Sequence, residues 1–226
     1  MPKVLVSDPI DQAGIDIISQ VAQVDVQTGL STEELIKIVP EYDALMIRSG
    51  TLVTKEIVEV GTQLKIIGRA GVGVDNVDVQ AATRKGIVVV NSPEGNTIAA
   101  AEHALAMMLD LSRYIPNANQ SVKSGKWDRK SYVGAEVYKK TIGIVGLGKI
   151  GSHVAVAAKA MGMKLIAYDP FISAERADHI GCRLVDLDLL FREADYITLH
   201  IPKTAETANL INAEAIAKMK PTTRII

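Results

Sequence analysis

The chain has little that would cross-link it, anchor it or attract a polyanion. Cys182 is the only cysteine among 226 residues, so no disulfide can form within the chain and no cysteine-based zinc site is available. The net charge of −1 provides no basic field for nucleic acid or an anionic membrane. The amino terminus, MPKVLVSDPI, lacks a long apolar core and a cleavage signal. The most apolar helical stretch, near Ile98–Leu111, contains Glu102, His103 and Asp110 and is too short and too polar to span a bilayer. No H-x-x-x-H or Asp-rich pattern suggests a metal, and no repeat or low-complexity tract occurs. A soluble cytoplasmic protein is the expectation. What the chain does have is 48% hydrophobic residues, enough to build a core in one or two domains.

The most informative stretch is Thr141–Pro170. The β-branched run Ile142–Val145 reads as a buried strand. Gly146, Gly148 and Gly151 follow in the spacing G-x-G-x-x-G, then a helix over Val154–Met161 and a second strand, Lys164–Tyr168, ending at Asp169. Gly146 allows a tight turn, Gly148 lets a pyrophosphate approach the backbone, and Gly151 lets the helix pack closely on the sheet. The N–H groups and positive dipole end of that helix attract phosphates. Asp169, 18 residues past Gly151, can accept the ribose hydroxyls of an adenosine. It also repels a 2′-phosphate, by ~1–4 kcal/mol at about 4 Å, which favours NAD over NADP. The alternative is a tight βα turn without a ligand.

Before this stretch, Lys3–Ser7, Val24–Thr28, Ala44–Ser49, Lys65–Arg69 and Ile87–Asn91 read as strands. Asp11–Val21, Thr32–Val39, Thr54–Val60 and Val77–Arg84 read as helices, with Thr32 and Asp75–Asn76 as caps and Gly86 as a terminator. Such alternation implies a parallel α/β unit with helices on both faces. Ile98–Gln120 reads as one long helix, and Lys123–Lys140 as a polar connector that carries Trp127. Beyond Asp169, helices over Ala174–Ile180, Leu187–Glu193 and Ala208–Met219 alternate with strands over Arg183–Val185, Tyr196–Leu199 and Thr223–Ile226. A doubly wound dinucleotide domain usually has six strands, so a chain ending inside the fifth is expected to be a piece of a longer protein.

Three turns at strand ends could each donate to an anion. Arg48-Ser49-Gly50-Thr51 offers a guanidinium and neighbouring amides for a carboxylate or phosphate, or else a surface Arg beside a helix cap. Arg69–Asn76, with Gly71 and Gly73, forms either an anion nest or a plain βα turn. Asn96 precedes the long helix, where it could cap and also face a ligand. His103, His153, His179 and His200 lack a sequence-local acid partner and read as structural. Trp127 could dock on another subunit or pack within the chain.

Taken together, Arg48–Thr51, GRAGVGVDNVD (Gly68–Asp78), NSPEGNTIAAAEHALAMML (Asn91–Leu109), GKW (Gly125–Trp127), GLGKIG (Gly146–Gly151) and YDP (Tyr168–Pro170) make the chain resemble the D-isomer-specific 2-hydroxyacid dehydrogenases along essentially its whole length. The resemblance implies an α/β fold of two doubly wound parallel-sheet domains. Residues 1–97 would be the N-terminal part of a flavodoxin-like substrate-binding domain, and 98–226 a Rossmann-type NAD-binding domain incomplete at its C-terminus. It implies NAD-dependent oxidation of a phosphorylated 2-hydroxy acid, 3-phosphoglycerate, by a homodimer or homotetramer. Another D-2-hydroxyacid dehydrogenase, of the glyoxylate/hydroxypyruvate or D-lactate type, or a non-catalytic dinucleotide sensor are the alternatives. By resemblance, Arg48, Ser49, Gly73 and Asn96 contact the substrate. Gly146, Gly148, Lys149, Ile150 and Gly151 hold the pyrophosphate, and Asp169 the ribose. Ile201, Pro202 and Thr207 line the cofactor, and Val72 approaches it; Ile201 stands where some relatives have Thr. The family's catalytic Arg, Glu and His would fall beyond Ile226, so these 226 residues alone are expected to be inactive.

Overall fold

The computed structural model describes residues 1–226. The chain forms two compact units, Met1–Asn96 and Thr97–Ile226. Each is built on its own five-stranded parallel sheet.

The first unit runs β1 (Lys3–Val6), α1 (Gln12–Ser19), β2 (Gln23–Val26), α2 (Thr32–Ile38), β3 (Ala44–Ile47), α3 (Lys55–Val60), β4 (Ile66–Arg69), α4 (Val79–Arg84) and β5 (Val88–Asn91). The sheet order is β2-β1-β3-β4-β5, so the order reverses between β1 and β3. The strands alternate as the two-residue period requires. Leu5, Leu45 and Ile67 face a core shared with Leu35, Val39, Ile57, Val58, Ala81 and Ala82 of the helical side. Val6, Met46, Gly68 and Val90 are register partners on the opposite face. Cover there is thinner than a helix on each face would give. α1 buries none of its residues, and Ile66, Val88 and Val90 remain exposed.

Two helix starts differ from the sequence expectation. Ser31, not Thr32, caps α2, because its hydroxyl accepts from Glu34 N while the Glu34 carboxylate accepts from Ser31 N, a reciprocal capping box. Asp78, not Asp75–Asn76, caps α4 by accepting from Ala81 N at 2.8 Å.

The second unit opens with α5 (Thr97–Arg113) and α6 (Ile115–Lys123). They replace the single expected helix because Tyr114 turns left-handed (φ 54°) and Pro116 enters the first turn of α6. Then follow β6 (Thr141–Val145), α7 (Lys149–Ala160), β7 (Lys164–Tyr168), α8 (Ala174–Ile180), β8 (Arg183–Leu184), α9 (Leu187–Glu193), β9 (Tyr196–Leu199), α10 (Ala213–Lys218) and β10 (Arg224–Ile225). α10 starts five residues later than Ala208, where Asn212 caps it through Ala215 N.

The order β10-β9-β6-β7-β8 reverses between β6 and β9. Ile142, Ile144, Leu165, Ala167 and Tyr196 pack with α5 and α7. Val145, Ile166 and Ile197 pack with α9 and α10 on the other side. Tyr196 and Ser112 exchange a buried hydroxyl contact of 2.8 Å that ties β9 to α5. Trp127 is 79% exposed, which disfavours a packing role within the chain. No helix is long and apolar enough to cross a membrane.

Candidate functional site

In open α/β sheets ligands bind beyond the carboxyl ends of strands, where the strand order reverses. In the second unit that point lies after β6 and β9, and the glycine turn occupies it. Gly146 has φ +90°, a conformation other residues rarely adopt, and a Cβ there would stand 2.6 Å from the His200 carbonyl oxygen and 2.7 Å from Ile201 Cγ2. The turn is therefore pressed against the segment that follows β9. A Cβ on Gly151 would overlap the Gly146 carbonyl oxygen, so that glycine sets how closely α7 meets β6. Gly148 differs from both: a Cβ there meets nothing within 4 Å, because the position faces open space.

α7 starts at Gly148 without a side-chain cap, and its first turn, which includes Lys149 and Ile150, carries no acidic residue. Its positive end suits an anion. Asp169 follows β7 and accepts from Leu147 N at 2.8 Å and from Phe171 N at 2.9 Å, one bond to each carboxylate oxygen. Each oxygen keeps a second lone pair. The carboxylate therefore braces the glycine turn as well as facing the cavity beside it. Leu147, Gly148, Asp169, Phe171, Ile172, Ser173 and Arg176 line that cavity of about 400 Å³, a volume within the usual range for ligand pockets.

These residues fit a dinucleotide. The bare glycine admits a diphosphate, the uncapped helix end supplies donors, and the carboxylate supplies acceptors for sugar hydroxyls. Ile201 flanks the turn and packs partly into the core behind it. Thr207 donates its hydroxyl to the Pro202 carbonyl at 2.6 Å and accepts from Thr204 N, so it braces this loop. His200 lies among these groups with Nε2 2.8 Å from Thr198 Oγ1, and burial pushes its imidazole below the ordinary range. A neutral ring held by a hydroxyl matches a structural histidine. Cys182 is buried, and burial pushes its thiol up to about 11, so it is not a nucleophile.

In the first unit the order reverses between β1 and β3, and the Arg48 turn sits there. The structure corrects one expectation: not all the neighbouring amides are available to an anion. Arg48 N and Thr51 N donate to Asp8 Oδ2 at 2.6 and 3.0 Å. Ser49 and Gly50, with the Arg48 guanidinium, form the exposed part of the turn, and that guanidinium reaches only the Pro9 carbonyl at 3.5 Å.

The second turn is also filled from within. Arg69 Nη1 donates to the Gly73 carbonyl and lies 3.5 Å from Asp75 Oδ1. A Cβ on Gly73 would crowd both side chains. Val72 offers its carbonyl to Asn91 Nδ2 at 2.5 Å. Asn96 is exposed just before α5. Sequence reasoning missed Asp8 altogether and misread Asn76 as a cap. Asn76 Nδ2 instead donates to the carbonyls of Arg48 and Thr51.

Comparisons with known proteins bear on the family and the fold. The family described as D-isomer specific 2-hydroxyacid dehydrogenase, NAD binding domain, matches residues 105–226. The chain is 78% identical over 226 residues to a D-3-phosphoglycerate dehydrogenase of Synechocystis sp., covering all of this chain and 41% of that protein. It is 53% identical over 219 residues to the D-3-phosphoglycerate dehydrogenase of Archaeoglobus fulgidus, covering 96% of this chain and 42% of that protein. The chain thus spans about two fifths of the length of these curated relatives. Among solved structures, the D-lactate dehydrogenase of Aquifex aeolicus complexed with NAD and lactic acid superposes with a TM-score of 0.89 at 27% identity, covering 99% of this chain and 67% of that one. An acyclic imino acid reductase in complex with NADPH and D-Arg gives 0.89 at 27% identity, covering 99% and 73%.

Proposed function

The chain belongs to the D-isomer specific 2-hydroxyacid dehydrogenase family, and from that premise we propose that its protein oxidises 3-phosphoglycerate to 3-phosphohydroxypyruvate with NAD, the first step of serine biosynthesis. The observation that carries the cofactor half of this reading is the uncapped start of α7. There Gly148 opens beside a cavity that Asp169 shares. Gly146–Gly151 would hold the diphosphate and Asp169 the adenosine ribose, with Ile201, Pro202 and Thr207 beside them. NAD, when bound, accepts a hydride. The oxidation removes that hydride from C2 of the substrate and a proton from the C2 hydroxyl, leaving a ketone. Arg48, Ser49, Gly73 and Asn96 would hold the substrate's carboxylate and phosphate, and Val72 would lie near the cofactor. Residues 1–96 thereby act on the substrate and 97–226 on the nucleotide. The names of the close relatives favour a phosphorylated acid over lactate.

The gain proposed for this chain is orientation of the acid, through the Arg48 guanidinium and its neighbours. The proton acceptor, and the Arg that would fix the carboxylate and polarise the forming carbonyl, are proposed to lie downstream of Ile226, as the family resemblance implies. Residues 1–226 alone are then expected to bind nucleotide without turning over. Assembly as a homodimer or homotetramer is proposed from the exposed apolar side chains Ile115, Val122, Trp127 and Val133, and sedimentation would test it. The function is tested by incubating the full-length protein with NAD and each acid in turn. NADH formation with 3-phosphoglycerate supports the reading, and turnover only of lactate or glyoxylate rejects the substrate.

A further inference from the structure

The turn after β3 is gripped from two sides by residues that no part of the reaction uses. Asp8 follows β1 and is buried at 6% exposure. Its Oδ2 accepts from both Arg48 N and Thr51 N, the first and last amides of the turn. Asn76, 9% exposed, lies just before α4 and donates both Nδ2 protons, at 2.7 Å to the Arg48 carbonyl and at 2.6 Å to the Thr51 carbonyl. The same two residues are thus held at their N–H groups by one side chain and at their C=O groups by another. Ser7, 1% exposed, adds a 2.9 Å hydroxyl contact to Thr51. Val53 N donates to the Asn76 carbonyl at 2.8 Å, and Asp78 N to the Val53 carbonyl at 2.9 Å, which fixes the Asn76 backbone as well.

Three features separate this arrangement from ordinary packing. First, a buried carboxylate is costly unless hydrogen-bonded, and Asp8 meets the turn's amides rather than a cation. Second, Asn76 Oδ1 is buried with no partner. An unpaired buried acceptor is destabilising, so what the side chain contributes is its two donors. Third, Gly50 is bare where a Cβ would stand 2.5 Å from Asp8 Oδ1, so any other residue there would press on the carboxylate. The clamp lies at the point of strand reversal between β1 and β3. It holds the two ends of the turn and leaves Ser49, Gly50 and the Arg48 side chain facing outward.

We propose that Asp8 and Asn76 are positioning residues that set the geometry of the Arg48–Thr51 turn for the substrate's anionic group. The proposal rests on the reading that Arg48 binds that group. Neither residue touches substrate; each acts through the turn.

The test uses the full-length protein, with 3-phosphoglycerate and NAD varied separately and melting followed in parallel. Asn76→Ala is expected to raise KM for 3-phosphoglycerate by about tenfold or more, because a displacement near 1 Å can cost up to about a hundredfold. KM for NAD should stay within about twofold of wild type. Asp8→Ala should behave alike. Asp8→Asn, which keeps one oxygen able to accept both amides, should recover most of the loss. In an Arg48→Ala background, Asn76→Ala should add little, since the group it positions is gone. A folded Asn76→Ala or Asp8→Ala protein with a lower melting temperature but unchanged KM for 3-phosphoglycerate would overturn the proposal, as would effects that multiply with Arg48→Ala. If Asn76→Ala does not fold, the comparison of Asp8→Asn with Asp8→Ala decides by the same criteria. Failure of the underlying reading looks different: Arg48→Ala alone would then leave KM for 3-phosphoglycerate untouched.

Discussion

Gly148 and Gly151 are three residues apart in one turn, yet alanine at each should do opposite things. At Gly151 the new methyl would overlap the Gly146 carbonyl oxygen and lie 3.2 Å from Ile144 Cγ2. The carbonyl belongs to backbone and cannot rotate away. α7 must move off the sheet, and Val154, Ala155 and Ala158, all essentially buried, move with it. Overpacking of this kind costs ~1–3 kcal/mol. At Gly148 the methyl meets nothing within 4 Å, and φ −69° suits any L residue. The reduced entropy of the unfolded chain contributes about 0.4–1 kcal/mol in favour of alanine. Alanine's poorer capping offsets about as much. Folding stability should therefore change by no more than about 0.5 kcal/mol. NAD affinity should instead fall at least about tenfold, ~1.4 kcal/mol, because the methyl occupies the diphosphate's approach. Urea denaturation and titration calorimetry on the two variants separate the effects. Wild-type NAD affinity in Gly148→Ala, or wild-type stability in Gly151→Ala, would refute the reasoning.

Three further outcomes follow from named contacts. If Asp169 holds the ribose as proposed, Asp169→Ala should lower NAD affinity by about tenfold or more and narrow any preference over NADP, since the carboxylate that would accept the sugar hydroxyls and oppose a 2′-phosphate is gone; calorimetry with each nucleotide measures both. Burial, then the Tyr42 hydroxyl's bond to Asp25, raises the Tyr42 phenol from 10.0 to about 12. Its stabilising contribution is therefore complete below pH 10 and is lost as pH rises through 12, so Tyr42→Phe should flatten the fall in denaturation free energy across that window. Tyr196→Phe removes the buried hydroxyl bonded to Ser112, which retains the Met108 carbonyl, and should cost about 1 kcal/mol in urea denaturation.

Much of the architecture was legible because it depends on local pattern. β-branched runs such as Ile142–Val145 mark strands, and Gly146, Gly148 and Gly151 mark a turn whose three positions face different surroundings. What was missed depends on partners distant in sequence. Asp8 meets Arg48 N 40 residues away, and Asn76 meets the Arg48 carbonyl 28 residues away. No periodicity reports such pairings, although polar residues beside strand ends at a point of reversal were a usable hint. The cap errors have a local cause: Ser31 and Thr32, or Asp75 and Asp78, offer similar side chains, and backbone geometry selects one of them. The break at Tyr114 had a visible signal in Pro116, which favours a helix's first turn over its interior.

A crystal structure of the full-length protein with NAD tests most directly where the dinucleotide sits. The diphosphate should lie against the amides at the start of α7 beside Gly148, with the adenosine ribose hydroxyls on the Asp169 carboxylate. Electron density for the nucleotide elsewhere, or none at saturating NAD, would contradict that placement.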